Sequence, residues 1–181
     1  YVGLTTAACF SALGHDVVKL SPAPPRDVDA RARAAEATLA AMRAGASVIY
    51  QATLVAGDWT GRPDFLIKVP GETRLGAFGY EVVDAKLARH AQARALIQLC
   101  VYTEQLARFL GSTPEHFWIA IGGGSAGSSP EPLRLRSADY LAYHRRVRER
   151  FEEFVSGAPH EPYPEPVEHC SVCRWNPVCR A

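Results

Sequence analysis

Two short runs constrain this chain most: Gly61-Arg62-Pro63-Asp64-Phe65-Leu66-Ile67 and Tyr80-Glu81-Val82-Val83-Asp84-Ala85-Lys86. Both are apolar enough to be strands with buried sides. The first opens on a carboxylate, and the second closes on a carboxylate and a lysine. Side chains two apart on a strand share a face, so Asp84 and Lys86 project together. Asp64 meets them if the two strands pair as a hairpin. Taken alone, an Asp-x-Lys pair is most simply a surface ion pair, and Asp64 a turn residue. A charged pair that ends an otherwise apolar strand is less usual. Glu81 has the opposite strand parity to Asp84, so it is a secondary candidate that needs a bulge to join the group.

Two carboxylates and an ammonium at one spot suit phosphodiester hydrolysis. Hard carboxylate oxygens are the ligands that Mg²⁺ prefers, and that ion bridges readily to phosphate. A lysine can orient the attacking water or offset charge that develops in the transition state.

The rest of the chain reads as alternating helices and strands. Residues 3–13 suggest a short helix and residues 16–20 a strand. A proline-rich loop follows, then an alanine-rich helix capped by Asp27 or Asp29, running through Arg43 and ended by Gly45. Strands are expected over 47–55, 63–69 and 78–85, with turns at Gly57, Gly61 and Pro70-Gly71. A helix over 91–110 carries Leu96, Leu99, Cys100, Leu106 and Phe109 at helical spacing. A strand over 116–121, a flexible Gly/Ser loop over 122–130 and a helix capped by Ser137 and running to Val155 complete the core. The expected fold is α/β, a mixed sheet flanked by helices. Residues 1–156 form the core, and an irregular, proline-rich segment occupies 157–181.

Five cysteines are present: Cys9, Cys100, Cys170, Cys173 and Cys179. An odd count, with three crowded near the end, is a poor disulfide framework and a better metal cluster in a reducing cytoplasm. Cys170-x-x-Cys173 can grip one metal centre through a tight turn, with Cys179 as third ligand. Zinc, completed by His169 or Cys9, and a four-iron cluster are both compatible with the spacing. Cys100 lies within a helical pattern and reads as a buried core thiol.

No run approaches the eighteen or so apolar residues of a membrane span. The opening segment lacks the features of a signal peptide, and it starts at Tyr1, so an upstream segment is expected to be missing. The formal charge of the 181 residues is +1, and no global field announces a polyanionic partner. The run from His144 to Arg150 is either a solvated helix face or a stripe that contacts phosphates.

Pro63-Asp64 followed by Asp84-Ala85-Lys86 resembles the signature of the PD-(D/E)xK nucleases. Gln98-Leu99-Cys100-Val101-Tyr102 is similar to the Gln-x-x-x-Tyr motif of their RecB-like branch, and its i, i+4 spacing puts Gln98 and Tyr102 on one helix face. Ala41-Met42-Arg43-Ala44-Gly45 leading into Val48-Ile49-Tyr50-Gln51-Ala52 resembles the same branch, as does Tyr163-Pro164-Glu165-Pro166 leading into the cysteines.

The resemblance, from about Arg33 to Arg180, implies a restriction-endonuclease-like fold and a metal-dependent deoxyribonuclease acting on single-stranded DNA or DNA ends, in repair, recombination or defence. Asp64 and Asp84 would bind Mg²⁺ or Mn²⁺, Lys86 would position the nucleophile, and Gln98 and Tyr102 would line the cleft. Cys170, Cys173 and Cys179 would hold a [4Fe–4S] cluster that staples the chain ends. Cys9 is the default fourth ligand, and an upstream cysteine is the alternative. His15 and Glu36 are the available counterparts of the family's upstream metal ligand, though neither has matching surroundings. A superfamily 1 helicase, in cis or in trans, is the implied partner, and the location cytoplasmic. Two other classes stay open: a DNA-binding module without catalysis, and an interaction domain stapled by structural Zn²⁺.

Overall fold

The strand portions of the two runs lie side by side in one sheet, Phe65–Ile67 against Glu81–Val83. The computed structural model describes residues 7–8, 10–12, 14–24, 26–86, 91–121, 131–157 and 165–179. Its elements are β1 (Val17–Lys19), α1 (Val28–Arg43), β2 (Val48–Tyr50), β3 (Leu54–Ala56), β4 (Trp59–Gly61), β5 (Phe65–Thr73) and β6 (Gly76–Lys86). Then come α2 (Ala93–Leu110), β7 (His116–Ile121), β8 (Glu131–Arg136), α3 (Ala138–Ser156), a 3-10 turn (Glu168–Val172) and the one-turn helix α4 (Asn176–Cys179). Residues 7–8 and 10–12 are helical, as expected there, while the loop expected over 122–130 lies outside the described residues.

The protein is α/β. Six strands form one mixed sheet in the order β1-β2-β5-β6-β7-β8, and β3 and β4 make a separate hairpin. β1/β2 and β6/β7 are parallel, while β2/β5, β5/β6 and β7/β8 are antiparallel. Each parallel pair is linked through a helix, as parallel neighbours require.

Sequence chemistry explains the elements. The Asp27 carboxylate accepts from the N–H of Ala30 at 2.8 Å and caps α1. In α2, Leu99, Thr103, Leu106 and Leu110 recur every three or four residues and are buried. Leu99, Leu106 and Leu110 meet Leu66, Tyr80, Val82, Phe117 and Ile119 from one sheet face, and Met42 of α1 and Leu141 of α3 join the same core. Cys100 is fully buried there, as expected of a core thiol. Each large side chain so buried contributes roughly 1.5–3 kcal/mol. The other sheet face carries Val48, Phe65, Val83 and Ala120, with Phe10 packed on them. The Phe10 and Phe65 rings are 5.3 Å apart.

Four local expectations are corrected. The strand expected over 47–55 is two strands, because the backbone at Gln51 turns left-handed (φ 60°). Pro70-Gly71 is not a turn: it sits inside β5, where the register with β6 shifts between Pro70 and Thr73, and the reversal comes at Arg74-Leu75, after which Gly76 opens β6 with φ 112°. Ser137 stands at the start of α3 as expected, its carbonyl accepting from Tyr140 and Leu141, but its buried hydroxyl makes no capping bond and has no hydrogen-bond partner among the described residues. β8 lies where no strand was expected, since Pro132 interrupts its alternation. An edge position tolerates that proline.

The chain divides into two compact units, Tyr1–Val147 and Arg148–Ala181, the division falling inside α3. Among the described residues no helix is long and apolar enough to cross a membrane.

Candidate active site

The register of β5 with β6 pairs Phe65 with Val83, so Asp64, one residue before β5, stands opposite Asp84. Cross-strand partners share a sheet face, here the one covered by α2. Asp84 is 3 % exposed, and its environment, rather than the strand pattern, sets its chemistry.

Both oxygens of the Asp64 carboxylate are held. The backbone N–H of Ala85 donates to Oδ2 at 2.9 Å, and Gln51 Nε2 donates to Oδ1 at 3.3 Å. Asp84 Oδ2 lies 2.5 Å from Lys86 Nζ, as a charge contact rather than an aligned hydrogen bond. Lys86 Nζ donates to Gln98 Oε1 at 3.0 Å, and Gln98 Nε2 donates to the Tyr102 hydroxyl at 2.5 Å. The five candidates Asp64, Asp84, Lys86, Gln98 and Tyr102 therefore form one continuous group at the C-terminal end of β6 and on the adjoining face of α2. Such strand ends are where open α/β sheets place ligands.

Burial pushes the Asp84 carboxyl up to about 6; the neighbouring Asp64 charge raises it further, and the Lys86 contact opposes both. Burial also raises the Tyr102 hydroxyl above its ordinary range, against the lowering effect of the Gln98 hydrogen bond. Among the described residues, two carboxylates stand beside one ammonium. Hard oxygen donors, one of them buried, fit a divalent cation such as Mg²⁺ or Mn²⁺. Lys86 is partly exposed, so the group opens to solvent through its ammonium.

Close packing holds the two halves of the site together. A Cβ on Gly61 would fall 2.4 Å from Gln105 Oε1 and 2.6 Å from Tyr102 Cδ1. The backbone three residues before Asp64 thus runs directly against α2, with room only for hydrogen. The fully buried Thr38 contributes from the other side: its hydroxyl accepts from the Thr53 N–H at 2.9 Å and anchors the segment after Gln51 to α1.

The remaining candidates lie elsewhere. Glu81 faces the opposite side of the sheet, as its parity requires. Its Oε2 accepts from Trp118 Nε1 at 2.6 Å, while His116 Nδ1 and Arg134 approach Oε1 at 3.5 and 3.7 Å. His15 is exposed and stacks edge-on with Phe10, and Glu36 pairs with Arg43 on the surface of α1. Neither joins Asp64 and Asp84.

In the C-terminal unit, Cys170 and Cys173 share a tight turn in which the Cys173 N–H donates to the Cys170 carbonyl at 3.3 Å. The Asn176 side chain donates to that same carbonyl at 2.8 Å. Cys170, Cys173 and Cys179 are free thiols, and His169 lies exposed on the 3-10 turn. Cys9 lies outside the described residues. Among the described residues, no three His, Cys, Asp or Glu side chains converge as a metal-holding group. The carboxylates meet as a pair, and the tail thiols are not gathered into a ligand set.

The roles of Gln51 and Gly61 were not visible as chemistry in the sequence. Only the interruption of a β-prone run after Tyr50 could have flagged Gln51, and no glycine or proline marks it. Compared with known families and with curated proteins, the sequence matches no family model and no curated protein.

Proposed function

We propose that this protein is a metal-dependent deoxyribonuclease of the RecB-like PD-(D/E)xK type, with a restriction-endonuclease-like arrangement of its sheet and helices. One observation carries the reading. Asp64 and Asp84 oppose each other across β5 and β6, and the contacts from Asp84 run through Lys86 and Gln98 to Tyr102.

Asp64 and Asp84 would hold Mg²⁺ or Mn²⁺, which when bound supplies Lewis acidity toward water and a phosphate oxygen. Lys86 keeps an ammonium at the mouth of the site, where it orients a water and offsets negative charge on the phosphate. Gln98 holds that ammonium through its carbonyl oxygen and is itself fixed by Tyr102. In this reading the substrate is single-stranded DNA or DNA ends, as the family resemblance implies. In the same reading, Cys170, Cys173 and Cys179, with a fourth thiol, take a [4Fe–4S] cluster, or structural Zn²⁺ in its place. A superfamily 1 helicase is the partner to seek.

The test is Mn²⁺-dependent cleavage of end-labelled single- and double-stranded DNA by anaerobically purified protein, with an Asp84→Ala, Lys86→Ala control. Cutting that needs the metal and vanishes in the control supports the nuclease. A folded, metal-loaded protein that binds DNA but cuts neither substrate leaves a binding module instead. Iron, sulfide and zinc analysis of the same preparation identifies the occupant of the tail.

A further inference from the structure

β2 pairs with β5 so that Tyr50 faces Phe65, and the next step of that register places Gln51 opposite Asp64. The Gln51 N–H donates to the Asp64 carbonyl at 2.8 Å, continuing the ladder by one bond. The backbone of Gln51 then leaves the strand with φ 60°, a conformation that side-chain-bearing residues rarely adopt. Backbone of this kind persists where its surroundings over-determine it, and it concentrates at functional sites. Here the surroundings are explicit: the β2–β5 ladder holds one side of the residue, and the Thr38 hydroxyl holds the Thr53 N–H on the other.

The left-handed turn ends β2 beside the site and leaves the Gln51 amide on Asp64 Oδ1, opposite the Ala85 N–H on Oδ2. Asp64 is thus clamped between its two neighbouring strands. A neutral amide restrains a carboxylate without cancelling its charge and leaves further lone pairs for a cation. A lysine or arginine at this position would compete with that cation.

We infer that Gln51 is a positioning residue for the carboxylate pair: its side-chain amide fixes the Asp64 rotamer so that Asp64 and Asp84 present their oxygens to one divalent cation. The inference rests on the metal-dependent reading of the site. Removal of the amide weakens cation binding while the fold stays intact. Partners that orient a metal ligand typically contribute about 10- to 100-fold in affinity.

Gln51→Gly separates the two roles of the residue. Glycine adopts φ 60° freely, so the turn is kept or improved while the amide is lost. Calorimetric titration of the full chain with Mn²⁺ is expected to show affinity weakened about tenfold or more in Gln51→Gly and Gln51→Ala. The thermal midpoint of Gln51→Gly is expected to be no lower than that of the wild type. Cleavage by Gln51→Gly is expected to recover as Mn²⁺ is raised. Wild-type affinity in a folded Gln51→Gly variant overturns the inference and leaves the site reading standing. A wild-type protein that takes up no Mn²⁺ overturns both.

Discussion

Asp64 faces Asp84 across the β5–β6 pair, one position beyond Phe65 and Val83. Among the described residues the Lys86 ammonium contacts the pair, and Asp84 is almost wholly removed from water. Like charges so placed disfavour joint ionisation, and a divalent cation relieves the conflict directly. The chemistry of the site therefore turns on the protonation of Asp84, which stability measurements can read without any substrate.

The Asp84 carboxyl is raised from 3.8 to about 6, chiefly by burial, so folding favours its protonated form. The contribution to stability is full below the unfolded value, and it is lost as pH rises through the folded one. A shift of about two units corresponds to about 3 kcal/mol. In EDTA, the thermal midpoint should fall between about pH 4 and pH 6 more steeply in the wild type than in Asp84→Asn. Mn²⁺ should bind more tightly across the same window and release a proton on binding. Superimposable pH curves for wild type and Asp84→Asn would count against this assignment.

Lys86→Ala should separate binding from catalysis. The ammonium is not a metal ligand, so Mn²⁺ affinity should hold or rise once its positive charge is gone. Loss of a group that stabilises developing charge lowers turnover by about 10²–10³-fold. Titration calorimetry beside single-turnover cleavage checks both halves. Weakened metal binding in this variant would show that Lys86 supports the carboxylates rather than the reaction.

Tyr102→Phe removes the hydroxyl that accepts from Gln98 and leaves the ring packing in place. The lost hydrogen bond costs about 1 kcal/mol of stability. Gln98 then loses its restraint on Lys86, and cleavage should drop between about 10- and 100-fold. Chemical denaturation and initial-rate measurements on one preparation test the two effects together.

Trp118→Phe tests the far side of the sheet. Glu81 would lose the indole N–H that satisfies its Oε2, and a buried acceptor left unpaired costs about 1–3 kcal/mol. Cleavage and Mn²⁺ affinity should not change. A metal-binding defect in this variant would return Glu81 to the site from which its strand parity removes it.

Much of the site was legible because it follows a strand's two-residue period and a helix's four-residue step. Asp84 and Lys86 sit two apart on β6, and Gln98 and Tyr102 four apart on α2, as their spacing requires. Glu81 lies on the other face for the same reason. The break at Gln51 was not legible, because no glycine or proline marks it; contacts with Asp64 and α1, far away in sequence, impose it. β8 escaped notice because a proline and alternating arginines resemble a loop until the edge of a sheet accepts them. The turn expected at Pro70-Gly71 failed because β5 absorbs those residues in a bulge.

The contact of Gly61 with α2 limits what position 61 tolerates. In a library of every single substitution selected for DNA cleavage, glycine at this position should be as intolerant of replacement as the acidic residues nearby. It carries no side-chain donor, acceptor or charge. Even alanine would press on the Tyr102 ring, at a packing cost of about 1–3 kcal/mol. Fitness data read without coordinates would therefore mark Gly61 as catalytic, although what selection protects there is the absence of a side chain.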